Sequence, residues 1–180
     1  SILVWDGAKY VVVSTEGGHT DFPPRTEQEI ELLRYMKKSN EFVSMELILS
    51  GRGFRTIHTF IDASVQHPSF ADPEADAAPE ITRLALEGKC PICVQTLDLW
   101  VSMYGAEAGN LALKILATGG VYVCGGIAPK ILPMIQKHFM EAFADKGRYS
   151  NLMKQMPVYV VLNDKTALVG AAHYALVMND

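Results

Sequence analysis

The sequence predicts an α/β fold: a mixed sheet covered by helices, entered through an N-terminal β-hairpin. Two observations carry this. Short β-branched and aromatic runs at 121–124 and 157–162 alternate with stretches whose apolar residues recur at helical spacing, and strands separated by such helices layer as α/β. At the front, Ile2-Leu3-Val4-Trp5 and residues 9–13 are strand-like on either side of Asp6-Gly7, a dipeptide favoured in a tight type I′ turn.

The elements follow in order. Thr26-Glu27-Gln28-Glu29 reads as a capping box ahead of Ile30, Leu33 and Met36, with Leu32 as flank, so a helix is expected over 26–38. Ser44 is suited to cap a short helix through Met45-Glu46-Leu47-Ile48. That helix ends at Ser50-Gly51-Arg52-Gly53, a loop whose two glycines are free to take positive φ. A helix over 53–65 places Ile57, Phe60, Ile61 and Val65 on one face. Residues 67–79 carry Pro68, Pro73, Pro79 and several acids and read as an exposed acidic loop.

Pro79 fits the first turn of a short helix to Leu86, and a long helix is expected over 91–117. Gly105 and Gly109 lie inside it; each costs about 1 kcal/mol relative to Ala, which argues for a close crossing with another element. Gly119-Gly120 is expected to close that helix, and 121–124 and 157–162 read as strands buried on both faces. Pro129 starts a helix to Ala144, and the last helix, 166–177, is rich in Ala and Gly; there is no internal repeat.

At about 150 residues per domain, 180 residues amount to roughly one domain. Ordinary Gly and Pro counts, 14 and 9, exclude collagen-like and disordered classes. Sixteen Lys plus Arg against twenty Asp plus Glu give a net charge of −4, with no electrostatic footprint for nucleic acid. No apolar run approaches the roughly 18 to 20 residues that cross a bilayer, and signal-peptide zones are lacking at the N-terminus, so a soluble cytoplasmic protein without membrane partners is expected. Three cysteines, Cys90, Cys93 and Cys124, cannot complete a disulfide framework, which fits a reducing compartment. A start at Ser1 on a strand suggests a chain that begins inside a fold.

Four constellations bear on chemistry. Glu16-Gly17-Gly18-His19 reads as a turn with incidental polar groups, as a ligand-binding corner whose Glu and His can grip neighbouring hydroxyls, or as part of a metal site with Asp21. Glu46 is either a solvated helix charge or a partly buried acid. Gly125-Gly126, between a strand and a helix, makes a tight β–α turn or a nucleotide contact. Cys90-Pro91-Ile92-Cys93 has zinc-knuckle spacing, but with no second CxxC or HxxxH the cysteines read first as structural, then as a redox pair, then as a metal site.

Taken together, EGGHTDFPP at 16–24, VSMELILSGRG at 43–53, GNLALKI at 109–115, VYVCGGIAPKILP at 121–133, FADKGRY at 143–149, PVYVVLND at 157–164 and ALVGAAHY at 167–174 resemble, in order, the bacterial glucokinase family of the actin-like sugar kinases. The resemblance implies an actin-like ATPase (ribonuclease H-like) domain. It implies Glu16, His19 and Glu46 as glucose ligands, Gly125 and Gly126 on the adenosine side of ATP, and ATP with Mg²⁺ as co-substrate. It leaves room for a homodimer.

A related branch carries a cysteine-rich zinc motif after its Glu-x-Gly-His segment. This chain has no cysteine before Cys90, so the resemblance is to the zinc-free branch and no structural metal is expected. The family's DxGGT phosphate loop, its second glycine-rich phosphate loop and the Asn-Asp pair that supplies the catalytic base have no match; Asn163-Asp164 follows a late strand and does not correspond to that pair. The chain therefore resembles the C-terminal large domain of a two-domain kinase without its N-terminal partner, expected to be inactive alone and to contribute no catalytic residue. The alternative is a non-catalytic sugar-sensing regulator with the same pocket.

Overall fold

A computed structural model describes residues 1–70, 72 and 75–177. They fall into two compact units, Ser1–Trp100 and a second beginning at Val101. In the first, β1 (Ile2–Trp5) and β2 (Tyr10–Val13) pair antiparallel with Trp5 opposite Tyr10, the two rings edge-on at 5.1 Å. Gly7, at φ +105°, makes the turn. The Asp6 carboxylate closes it by accepting the amides of Lys9 at 2.9 Å and Ala8 at 2.8 Å, bonds that hold its pKa below the usual carboxylate range. Apart from half-buried Ile2, the hairpin's apolar side chains are exposed, from 40% at Val11 to 67% at Tyr10.

Helix α1 (Glu27–Met36) starts where the Thr26 hydroxyl accepts the Glu29 amide at 3.2 Å, a cap worth about 1 kcal/mol. The returning arm differs from a capping box: buried Glu29 accepts from the Arg25 amide at 2.6 Å and its guanidinium at 3.2 Å. Leu32 and Met36 are the fully buried pair, with Ile30 and Leu33 at the margin, because the core side lies one position away from the expected stripe.

Ser44 caps α2 (Met45–Ile48) by accepting the Leu47 amide at 3.4 Å. The two glycines that follow do not form a loop. Gly51 begins α3 (Gly51–Ile61), and neither Gly51 nor Gly53 has positive φ. Gly53 serves a close approach instead: a Cβ there would lie 1.8 Å from the Ile48 carbonyl oxygen. That same oxygen accepts the Trp100 indole N–H at 3.0 Å, and Trp100 stacks on Phe54 with ring centroids 4.6 Å apart. This cluster, with Ile48, Ile57, Ile81 and Leu97, is the core of the unit.

The segment after α3 is less exposed than its composition suggests. Phe70 and Ala77 are buried, and the Arg55 guanidinium, lying over the Phe70 ring, donates to the carbonyls of Phe70, Asp72 and Ala75 at 2.9–3.1 Å. Composition records the acids but not the arginine that bonds these three carbonyls. Pro73 of this expected loop lies outside the described residues. Helix α4 (Ala78–Leu86) carries Pro79 in its first turn, and α5 (Pro91–Ile115) follows.

In the second unit, the Val101–Ile115 part of α5 meets a helical run comprising a 3₁₀ turn (Ala128–Ile131), α6 (Leu132–Met134), a π turn (Ile135–Phe139) and α7 (Met140–Ala144). Gly105 and Gly109 are the crossing points, since a Cβ would fall 2.2 Å from the Phe139 oxygen and 2.6 Å from the Phe143 oxygen. Lys146 fastens the crossing by donating to the Ala106 carbonyl at 2.9 Å and Asn110 Oδ1 at 2.8 Å.

Leu116, not Gly119-Gly120, stops α5. It adopts φ +49°, and the Ala117 amide reaches back to the Ala112 carbonyl at 2.9 Å, a C-terminal cap of Schellman type. The left-handed region costs a non-glycine residue about 1–2 kcal/mol, and Leu116 is 59% exposed with little burial to lose. Leu116→Gly is expected to raise stability by about 0.5–1 kcal/mol after the added unfolded-state entropy is counted. The urea midpoint reads this, and a lower midpoint contradicts it.

Strands β3 (Val121–Val123) and β4 (Val158–Val160) pair in parallel, Tyr122 beside Tyr159 with rings stacked at 5.0 Å. One mixed sheet was expected; the described residues hold two separate two-stranded sheets. Nor are β3 and β4 buried on both faces: Val123 is buried, but Tyr122 and Tyr159 are 58% and 48% exposed. The Val-Tyr-Val alternation marks an inner and an outer face, and a short apolar run does not reveal which faces are covered. Helices α8 (Ser150–Met153) and α9 (Thr166–Val177) complete the described residues, α9 with its side chains exposed from Thr166 to Leu176.

Candidate functional site

The polar corner at Glu16–His19 is built by two short backbone devices. A single 3₁₀ turn (Gly17–His19) is closed by the His19 amide on the Glu16 carbonyl at 3.0 Å, while the Thr20 hydroxyl bonds the Gly17 carbonyl at 2.9 Å. The chain leaving it then pairs with the chain entering α2. Phe22 N–H donates to Val43 O and Met45 N–H to Thr20 O, both at 3.0 Å, around an antiparallel bridge between Asp21 and Ser44. Phe22, Val43, Ser44, Met45 and Ile48 are buried beneath this ladder, whereas His19 and Glu46 face outward.

The result is a juxtaposition of residues distant in sequence. His19 Nδ1 lies 4.0 Å from Glu46 Oε2, with the two side chains 70% and 72% exposed, and Glu16 caps the same turn. Glu46 is thus a solvent-facing acid rather than a partly buried one. The closest neighbour a Cβ on Gly18 would meet is Glu46 Cβ, at 3.9 Å, so the turn and α2 sit side by side without crowding. The structure adds Phe42, which sequence reasoning passed over: its ring lies 5.4 Å from the His19 ring and is 43% exposed. An exposed aromatic just before a buried Val-Ser-Met segment was the signal available.

Exposed carboxylates and an imidazole in one shallow corner suit neutral polyhydroxyl ligands, because a carboxylate accepts from two hydroxyls at once and an imidazole nitrogen serves as donor or acceptor. They are a poor metal site, since His19 and Glu46 stand largely in solvent. Among the described residues, the cluster of four metal-ligating side chains lies elsewhere in the same unit.

In the second unit, Gly125 and Gly126 follow β3. Gly125 takes φ +109°, a conformation that needs glycine, and a Cβ on either residue would meet nothing within 4 Å. The backbone here is therefore open to an approaching planar or charged group. The helix beyond begins as the 3₁₀ turn at Ala128–Ile131, with no side-chain cap at its start. Cys124, between strand and glycines, is exposed.

Comparison with known proteins fits both segments into one ancestry. A family model described as Glucokinase matches residues 1–178. The glucokinase of Synechocystis sp. is 43% identical over 183 residues, covering 91% of this chain and 52% of the relative. That of Trichormus variabilis is 39% identical over 189 residues (94% and 55%), and that of Neisseria meningitidis 40% over 171 residues (94% and 51%).

Among solved structures, a glucokinase from an Antarctic psychrotroph superposes with a TM-score of 0.81 at 33% identity, covering 99% of this chain and 54% of that one. The glucokinase of Balamuthia mandrillaris, solved in complex with glucose, shares the fold at a TM-score of 0.73 and 20% identity, over 88% of this chain and 45% of that one. This chain spans about half the length of the curated relatives it matches. A family match over nearly every residue, with relatives near 40% identity and a superposable solved structure, leads to one conclusion: the chain belongs to the glucokinase family.

Proposed function

We propose that this chain is the C-terminal large domain of a cytoplasmic, ATP-dependent glucokinase of the actin-like (ribonuclease H-like) type, which transfers the ATP γ-phosphate to the 6-hydroxyl of glucose. The observation that carries the reading is the His19–Glu46 pair at 4.0 Å beside the Glu16 turn. Glu16, His19 and Glu46 orient the sugar by accepting from, and donating to, its ring hydroxyls. An epimer that misplaces one hydroxyl leaves a carboxylate oxygen desolvated and unpaired, which is how such a site discriminates.

Gly125 and Gly126 leave the backbone open enough to lie against the adenosine of ATP. When bound, ATP with Mg²⁺ supplies the transferable phosphoryl group and neutralises its charge. This chain carries no residue assigned as the base, so the 180-residue chain alone is expected to give no glucose-dependent ADP formation. A coupled assay reads it, and turnover that survives repurification overturns the division of labour. The exposed apolar hairpin and the family relatives' roughly doubled length support a second domain as partner.

In the intact kinase, Glu46→Gln keeps the size of the side chain but removes the charged acceptor, an interaction of about 1.5–3 kcal/mol. The glucose KM is expected to rise about 10- to 100-fold while the ATP KM stays within about twofold. Equal changes in both, or an unchanged glucose KM, would falsify the assignment. A sugar-sensing regulator would bind glucose with the same dependence on Glu46 but show no ATP hydrolysis at any glucose concentration.

A further inference from the structure

Four potential ligands meet in the first unit away from the residues discussed above. His58 stands on the last turn of α3, His67 just ahead of the 3₁₀ turn at Pro68–Phe70, and Cys90 and Cys93 at the entrance to α5. One ligand atom from each can be chosen so that all four lie within 4.8 Å of one another. Cys93 Sγ and His67 Nε2 are 3.6 Å apart. With metal–sulfur and metal–nitrogen bonds of about 2.3 and 2.0–2.1 Å, a tetrahedral zinc ion places such a pair about 3.6 Å apart.

The surroundings agree with the geometry. Cys93, His58 and Cys90 are buried, at 0%, 2% and 6% exposure. His58 Nε2 is enclosed with no hydrogen-bond partner, an arrangement that costs about 1–3 kcal/mol unless something occupies it. The Cys93 amide donates to Cys90 Sγ at 3.4 Å, which fixes that sulfur beside the start of α5. Two thiolates balance a divalent cation, so the complex is neutral and tolerates burial. The S₂N₂ donor set, without carboxylates, selects zinc over magnesium, calcium or manganese.

We propose that His58, His67, Cys90 and Cys93 hold one Zn²⁺ ion in a closed, tetrahedral structural site. Binding forms two Zn–S and two Zn–N bonds and releases the two thiol protons to solvent. With four protein ligands no position is left for substrate. The ion would fasten the end of α3 and the segment around His67 to the start of α5, beside the Arg55 bonds to the carbonyls of Phe70, Asp72 and Ala75. This differs from the expectation of no structural metal, which rested on the resemblance to the zinc-free branch and on the lack of a second CxxC or HxxxH.

The test uses the 180-residue chain purified without a metal-affinity tag or chelator. Elemental analysis is expected to find about one zinc per chain, and thiol titration to find Cys124 reactive at once with Cys90 and Cys93 reactive only after chelation. Cobalt substitution is expected to give the intense visible bands of tetrahedral thiolate-bound Co²⁺. His67→Ala, at a half-buried position where folding is tolerant, is expected to weaken zinc binding more than about 100-fold, since even groups behind a ligand cost about 10–100-fold. Cys90→Ser is expected to abolish the cobalt spectrum. Zinc well below one per chain with three equally reactive thiols, a Cys90–Cys93 disulfide, or zinc affinity unchanged in His67→Ala each overturns the proposal.

Discussion

Gly53→Ala is expected to destabilise the protein by about 3 kcal/mol, against the usual trend for a helical glycine. In an unobstructed helix the change to Ala gains about 1 kcal/mol. Here the new Cβ would lie 1.8 Å from the Ile48 carbonyl oxygen and 2.5 Å from its carbon, both backbone atoms that no rotamer change moves. Relief requires α3 to move away from the end of α2, an overpacking cost of about 1–3 kcal/mol. It also drags the Ile48 carbonyl from the Trp100 indole, leaving two buried polar groups unpaired at about 1–3 kcal/mol.

Because α2 carries Glu46, the glucose contact proposed for that residue is expected to weaken along with stability. Trp100→Phe removes the indole bond and part of the buried ring volume but leaves both backbones in place, and is expected to cost less. The double variant should cost less than the sum of the two, since both act on one carbonyl. Urea denaturation measures all three. A Gly53→Ala midpoint at or above that of the parent would show that the two helix ends do not meet as described.

That contact shows where the sequence was readable and where it was not. Local rules sufficed for the cap at Thr26, the Ser44 cap on α2 and the helical periods, because each depends on residues within one turn. The family resemblance carried the site to Glu16, His19 and Glu46, and the structure brings His19 to Glu46 through the Asp21–Ser44 bridge.

What escaped was non-local. Gly51-Arg52-Gly53 has the composition of a loop, and only the position of Ile48 shows that Gly53 answers to packing. Leu116 carries no signature of a left-handed residue, so the adjacent glycines drew the expectation for the helix end. The partners of Cys90 and Cys93 are lone histidines on a helix and a loop, unreadable as a motif until the chain is folded.

The second large effect is expected at Gly105. A Cβ there would meet three backbone atoms of Phe139, the oxygen at 2.2 Å and the carbon and Cα at 2.8 Å. At Gly109 the obstacles are the Phe143 oxygen at 2.6 Å and Lys146 Cε at 2.8 Å, the latter a side-chain atom that can swing aside at the cost of its bonds to Ala106 and Asn110. At Gly119 nothing stands within 4 Å. The three Ala variants should therefore rank in stability as Gly119, then Gly109, then Gly105. Gly119→Ala is expected within about 0.5 kcal/mol of the parent, and Gly105→Ala to lose about 3–5 kcal/mol.

Helix propensity alone predicts the opposite sign at positions 105 and 109, since both glycines lie inside α5 and would each gain about 1 kcal/mol as Ala. The loss at Gly105 is large against a total domain stability of about 5–15 kcal/mol, because the facing Phe139 closes a π turn and is stacked against Phe143 and edge-on to Tyr104. Moving that backbone disturbs the aromatic core of the unit at once. Chemical denaturation of the three variants decides the matter: Gly105→Ala equal to or more stable than Gly119→Ala would mean that α5 is not gripped there, and the helical run from Ala128 to Ala144 would need another anchor.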